Sequence, residues 1–292
     1  MKEIFKQRSS TYRACVEKTY TDWYVRFATE PQKRLFEAMQ YSYMAGGKRL
    51  RPIFTFEFCR MCGKDWKVAA PFATAIEMIQ TYSLIHDDLP CMDDDDFRRG
   101  KPTNHKVFGE GMAVLAGDAL LSDAFTVAAS AELPADAVVY GIQVLSECIG
   151  SLGMVGGQVL DIMSEERDCT EQEILDIQSR KTGKLINAAC VLGVIAGGGT
   201  VEQIRAAAQF AACFGLAFQI RDDMLDAIGT AEEMGKGVGT DETKNTFVRL
   251  YGLDRCAELV EKYTGAALSA LDAFEDHEFL SELATELIQR RV

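Results

Sequence analysis

Six aspartates fall within ten positions of this chain: Asp87, Asp88, Asp93, Asp94, Asp95 and Asp96, in the run H-D-D-L-P-C-M-D-D-D-D-F-R-R-G. Crowded carboxylates repel, and a protein keeps them together mainly where a cation neutralises them. Ligation by oxygen alone suits a hard ion, magnesium first and calcium second. A calcium hand loop is excluded: counting from Asp93, no glycine stands sixth and no glutamate twelfth. A solvated acidic turn is the competing explanation. A second set, Asp222, Asp223 and Asp226 in Q-I-R-D-D-M-L-D, ends another apolar stretch. Asp222 and Asp226 are four apart and share a helix face, with Asp223 beside them. Two such sets, each ending a long apolar segment, point to metal binding by the pair.

A basic stretch lies upstream, Gly46-Gly47-Lys48-Arg49-Leu50-Arg51-Pro52. Paired glycines permit a tight turn and close backbone approach. Lysine gives a point charge and arginine a planar fork, which together suit a diphosphate. The G-x-x-x-x-G-K-[ST] spacing of a P-loop is absent. Arg98 and Arg99 are adjacent on a segment, with Gly100 and Pro102, that reads as irregular. Neighbouring side chains usually point apart, so each arginine can face a different anion. The plainer alternative is one arginine neutralising the aspartate run.

In this order and spacing the motifs resemble those of the polyprenyl synthetase family (trans-isoprenyl diphosphate synthases), most of all the bacterial farnesyl diphosphate synthase type. D-D-L-P-C-M-D matches the family's first aspartate-rich motif and D-D-M-L-D its second, and the resemblance covers essentially the whole chain. It implies head-to-tail transfer of an allylic group to isopentenyl diphosphate, in a homodimer. The metal would be magnesium, three ions, replaceable by manganese, on Asp87, Asp88, Asp93 and Asp222 with support from Asp223 and Asp226. Arg98, Lys181, Lys236 and Lys244 match contacts to the allylic diphosphate. Thr182 sits at a helix kink and Gln219 stands one turn before the second motif. Lys48, Arg51, Gln80 and Arg99 match the isopentenyl diphosphate site. The chemical step would rest on Asp87, Asp88, Asp93, Arg98, Lys181, Asp222 and Lys236. Lys244 lies in K-N-T-F, after a stretch that looks shorter than in many bacterial relatives. Gln158 and Asp161, in the family's G-G-Q-x-x-D element, are either neighbours of the reaction centre or packing residues.

Tyr82 and Ser83, one turn before Asp87, match the position that sets product length. An aromatic residue there favours the fifteen-carbon product, farnesyl diphosphate, with geranylgeranyl diphosphate as the alternative; packing against a neighbouring helix is the plain reading of Tyr82. A terpene cyclase would usually carry N-D-x-x-S-x-x-x-E in place of the second motif. A noncatalytic partner subunit would usually have lost one acidic motif, and this chain keeps both.

The elements that must carry these residues are helices. Glu77, Gln80, Thr81, Leu84 and Asp87 recur at helical spacing over 72–88. Asp87 and Asp93 would point to nearly opposite sides of an unbroken helix, at about 100° per residue. Pro90 ends or kinks the helix and lets them converge. Further helices are predicted over 1–30, 32–44, 111–131, 135–152, 153–161, 201–228 and, as a closing pair, 253–290. Thr170 and Glu173 read as a capping box opening a helix through Ile195, which Gly183 bends. Residues 229–245, glycine-rich and charged, read as a loop. The expected fold is all-α, ten or more helices around a central cavity, with 1–292 as a single domain.

Composition sets the remaining bounds. The 292 residues carry a net charge of −13, which argues against nucleic-acid binding. The start M-K-E-I-F-K lacks the apolar core of a signal peptide, and no uncharged apolar run reaches the length of a membrane span. An odd count of nine cysteines reads as free thiols in a reducing cytoplasm. His86 and His105 read as packing or hydrogen-bonding residues, and Cys59 and Cys62 as core-side helix residues rather than zinc ligands.

Overall fold

The structure is a computed structural model that describes residues 2–27, 29–165, 167–228 and 246–289. Helices make up nearly all of its secondary structure, as the scarcity of proline and the helical periodicity require. The chain forms two compact units, one of residues 2–143 with 195–198, the other of 144–194 with the described residues from 199 onward.

In the first unit α1 (Glu3–Tyr24) buries Phe5, Tyr12, Val16, Tyr20 and Trp23, the expected spine, and ends earlier than residue 30 in a 3₁₀ turn, Val25–Phe27. Then come α2 (Lys33–Tyr43), α3 (Leu50–Met61) and α4 (Ala70–Asp87). α4 is apolar on nearly all sides, burying Phe72, Ile76, Met78, Ile79, Tyr82 and Ile85, so it sits where other helices surround it. α1, α2, α3 and α6 (Glu110–Ala129) all pack on it. The segment expected to be irregular is instead a small antiparallel hairpin, β1 (Phe97–Arg98) and β2 (Lys101–Pro102), with Arg98 opposite Lys101. Arg99 (φ 54°) and Gly100 (φ 74°) form its tip, since a two-residue hairpin turn of this kind needs positive φ at both positions. α5 (Asn104–Phe108) leads into α6, and α7 (Ala135–Ile149) leaves the unit.

The second unit contains α8 (Met154–Ser164), α9 (Glu171–Gln178), a π turn Ser179–Gly183, α10 (Lys184–Ala196) and α11 (Val201–Ile228). α12 (Phe247–Ala270), kinked at Gly252, and α13 (Glu278–Gln289) close it. The Thr170–Glu173 capping box is present, and the bend expected at Gly183 takes the form of the π turn. A second box, missed in the sequence, opens α11: Thr200 N–H donates to Gln203 Oε1 at 2.9 Å and Gln203 N–H to Thr200 Oγ1 at 3.2 Å. Ile174, Ile220, Met224, Phe247, Cys256 and Leu259 form a core joining α9, α11 and α12. All nine cysteines are free thiols.

By length and composition, α6 and the stretch Ala135–Ser164 reach the dimensions of a membrane span, and their most apolar windows are 39% and 33% buried. Neither is an uncharged apolar run: Glu110, Asp118 and Asp123 interrupt the first, and Asp136, Glu147 and Asp161 the second.

Candidate active site

α4 ends at Asp87, and the chain reverses through Leu89 and Pro90. Leu89 N–H donates to His86 O at 3.2 Å, Asp93 N–H to Asp87 O at 2.8 Å, and Asp94 N–H to Leu89 O at 3.1 Å. These bonds close the turn and bring Asp93 back onto the helix end that carries Asp87, the convergence that a break at Pro90 was expected to allow. Asp93, Asp94 and Asp96 are exposed and Asp87 is half-buried.

Asp88 behaves differently. It is 3% exposed and accepts a 2.6 Å hydrogen bond from Arg98 Nε, while Asp95 accepts from the same guanidinium at 3.4 Å. Burial raises the Asp88 carboxyl above its ordinary pKa, although Arg98 pulls the other way. Burial works against Arg98's charge, but the Asp88 hydrogen bond and charge raise its pKa overall. Asp88, expected as a metal ligand, is here the seat of Arg98. Asp96 is paired with Lys106 at 2.6 Å.

Arg99 points away from Arg98, as adjacent residues do, and donates to the Gly46 carbonyl. Its guanidinium carbon would lie 2.7 Å from a Cβ on Gly47, whose φ of 116° itself disfavours a side chain. Gly46 (φ 94°), Gly47 (φ 116°) and Arg49 (φ 51°) turn the chain into α3. Lys48 is exposed at this turn. Arg51 is half-buried, and its Nε is buried without a hydrogen-bond partner. Burial pushes its pKa down to about 10, helped by the like charge of Arg99 and opposed by Glu77. It stays charged at neutral pH, with a donor that an incoming anion could satisfy. Gln80 is half-buried on α4, and its carbonyl accepts from Ser83 Oγ at 3.1 Å. One turn from Asp87, Tyr82 is 6% exposed and meets the His86 ring edge-on, centroids 5.7 Å apart. His86 Nε2 is 3.0 Å from Val114 O, and a Cβ on Gly117 of α6 would collide with the ring. Thr103 Oγ1 lies 3.2 Å from His105 Nδ1. Both histidines pack and hydrogen-bond, as expected.

Sequence reasoning missed one pair. Arg49 is 3% exposed, donates to Glu77 Oε1 at 2.6 Å, and bonds the Tyr43 carbonyl. The signal was available: Glu77 stands between Ile76 and Met78 on a helix apolar all round, where a carboxylate needs a buried cation.

In the second unit Asp222, Asp223 and Asp226 lie on the last turns of α11. Asp223 Oδ2 accepts from Phe247 N–H at 2.8 Å, which commits one oxygen to the start of α12. Gln219 Nε2 donates to Gln178 Oε1 at 2.9 Å. Lys181 and Thr182 sit within the π turn, and Lys181 Nζ donates to Asp161 Oδ2 at 2.6 Å. Lys236 and Lys244 lie outside the described residues.

Among the described residues no three His, Cys, Asp or Glu side chains gather closely enough to form a metal cage by themselves. The donors in both acidic sets are carboxylate oxygens, the type a hard cation prefers. Magnesium commonly takes only one or two protein carboxylates and completes its shell with substrate phosphates and water, so these sets fit it.

The helical architecture and the two acidic helix ends define a class, the all-α isoprenoid synthases. A sequence profile described as polyprenyl synthetase matches residues 32–279. The chain is 46% identical over 250 residues to heterodimeric geranylgeranyl pyrophosphate synthase large subunit 2 of Arabidopsis thaliana, covering 84% of this chain and 66% of that protein. It is 47% identical over 251 residues to a chloroplastic geranylgeranyl pyrophosphate synthase of Catharanthus roseus, covering 84% and 70%. Among solved structures it is similar to an FPP/GFPP synthase from Zymomonas mobilis (TM-score 0.83, 34% identity, 96% of this chain and 99% of that one). It is also similar to a geranyltransferase from Legionella pneumophila (TM-score 0.88, 33% identity, 99% and 97%). The chain belongs to the polyprenyl synthetase family, and its chemistry is prenyl transfer.

Proposed function

We propose that this enzyme condenses isopentenyl diphosphate with dimethylallyl and then geranyl diphosphate, and releases farnesyl diphosphate. The observation that carries the reaction class is the closed turn that returns Asp93 to Asp87, with Arg98 seated beside it on Asp88. Asp87, Asp93 and Asp222, with Asp223 and Asp226, would hold magnesium, and Asp88 would act through Arg98. When bound, the metal supplies positive charge to the oxygens of a leaving diphosphate. Arg98, Lys181, Lys236 and Lys244 bind the allylic diphosphate and add to that charge. The allylic C–O bond breaks with its electron pair on the diphosphate, and apolar walls keep water from the allylic cation. Lys48, Arg51, Gln80 and Arg99 orient isopentenyl diphosphate, whose double bond attacks to form the new C–C bond. The proton then lost passes to the released diphosphate.

Tyr82 supports the fifteen-carbon product: it is large, buried and one turn from Asp87. The names of the plant relatives favour a second reading, geranylgeranyl diphosphate. Incubating the enzyme with isopentenyl and dimethylallyl diphosphates and identifying the products decides between them; a dominant twenty-carbon product would overturn the first reading.

We also infer a homodimer. Val114 and Leu115 on α6 and Val139 and Tyr140 on α7 are exposed apolar residues of the first unit that a second copy would cover. Free thiols throughout the chain suit a reducing cytoplasm.

A further inference from the structure

A π turn is rare, bonds its backbone poorly, and persists where its surroundings hold it. The turn Ser179–Gly183 is held from two sides. On one side, α11 brings Gly215, whose Cβ would meet Gly183 Cα at 3.5 Å, and Gln219, bonded to Gln178 at 2.9 Å. On the other, α8 comes closer still. A Cβ on Gly157 would lie 2.7 Å from Lys181 Cα and 2.8 Å from the Arg180 carbonyl carbon, backbone that cannot swing aside. Arg180 donates to the Leu152 carbonyl, just before α8, at 2.7 Å. Asp161, one helical turn after Gly157, takes the Lys181 ammonium at 2.6 Å. The two side chains are 31% and 36% exposed, so the pair is partly shielded from water.

We propose that α8 is the positioning element for Lys181: Gly157 admits the π turn, and Asp161 sets the direction of the ammonium before a diphosphate arrives. The proposal rests on the reading that Lys181 binds the allylic diphosphate. A lysine side chain left to itself carries rotamer entropy, which binding must overcome. Asp161 removes part of that cost in advance by holding the ammonium at 2.6 Å. Asp161 acts through Lys181 and is a positioning residue rather than a catalytic one.

The test is a double-mutant cycle of Asp161→Asn and Lys181→Ala, with kcat and KM measured for each substrate. Asp161→Asn is expected to raise the allylic KM about five- to twenty-fold, leave the isopentenyl diphosphate KM unchanged, and add nothing in the Lys181→Ala background. Asp161→Glu, which keeps the charge, restores part of the loss. Gly157→Ala is expected to raise the allylic KM alone; should it fail to fold, the Asp161 cycle stands without it. Additive losses in the cycle, or an equal rise in both KM values, overturn the proposal while leaving the functional reading intact. A wild-type enzyme inert toward every allylic diphosphate overturns the functional reading, and the proposal with it.

Discussion

The backbone N–H of Asp93 donates to the carbonyl of Asp87 at 2.8 Å, although six positions separate them. One closed turn thus sets two carboxylates at the same end of α4. If they hold magnesium on a leaving diphosphate, Asp87→Asn and Asp93→Asn should each lower kcat by about 10²-fold or more, since the lost interaction acts in the transition state. Circular dichroism should show helix content intact in both. Near-wild-type turnover in either variant would remove that residue from the metal set.

Asp88 should respond differently from its neighbours. Arg98→Ala strands a carboxylate that is 3% exposed, and should cost about 1–3 kcal/mol in urea unfolding at neutral pH. Asp88→Asn should cost less, because a neutral amide is cheaper to bury. The sign with pH follows from the raised Asp88 pKa. The folded state takes up this proton more readily than the unfolded chain, so the penalty of the ionised group is present at neutral pH and fades on acidification. Loss of Arg98 raises that pKa further. The deficit of Arg98→Ala should therefore shrink as pH falls into the carboxylate range; a pH-independent deficit would mean that Asp88 is not the group left stranded.

Much of this was legible in the sequence because it rests on local chemistry. The break at Pro90, the capping box at Thr170 and the full span of α11 follow from residue type and spacing. What escaped was set by partners distant in sequence. Asp88 and Asp87 look alike in a string, and only the hairpin that returns Arg98 separates their surroundings. A π turn has no spacing signature; Gly183 announced a disturbance, but its form depends on Gly157 and Gly215.

Arg49 and Glu77 form a buried pair at 2.6 Å that joins the turn before α3 to the middle of α4. Removing one partner of such a pair leaves a buried charge, so Arg49→Met should cost about 3–5 kcal/mol in denaturant unfolding. The double variant Arg49→Met with Glu77→Leu should recover much of it, because an apolar pair carries no desolvation penalty. A single variant that unfolds with wild-type stability would show that Glu77 finds another cation.

Glu173 is held at a pKa of about 2, well below the ordinary 4.5, by the Arg167 hydrogen bond first and then by Thr170. A depressed acid contributes stability that is fully present above its unfolded pKa and is lost as pH falls through the folded one. Glu173→Gln should therefore lower the thermal midpoint at pH 7, and the difference from wild type should close between about pH 4.5 and 2. A gap that persists at the acid end would mean the carboxylate charge is not what secures α9.

Tyr82 is the residue on which the product reading turns. Five residues of helix span about 7.5 Å, so Tyr82 lies at a depth below Asp87 that a short prenyl chain reaches. Its ring is buried, and it is backed edge-on by His86, which is itself lodged against Gly117. A ring supported from behind resists displacement by a growing chain, whereas an unsupported one could rotate away. Tyr82→Ala should therefore open space along α4 and move the product mixture from fifteen carbons toward twenty or longer, with the first condensation continuing at a comparable rate. The variant loses a buried aromatic ring and should also lose about 3–5 kcal/mol of stability, so its folding must be checked at the assay temperature. Product chains from dimethylallyl diphosphate, separated by length after dephosphorylation, give the answer. A folded, active Tyr82→Ala enzyme with an unchanged product mixture would show that another residue ends elongation. That outcome would leave the prenyl transfer chemistry standing and remove the support that Tyr82 gives the fifteen-carbon reading, against which the names of the plant relatives stand.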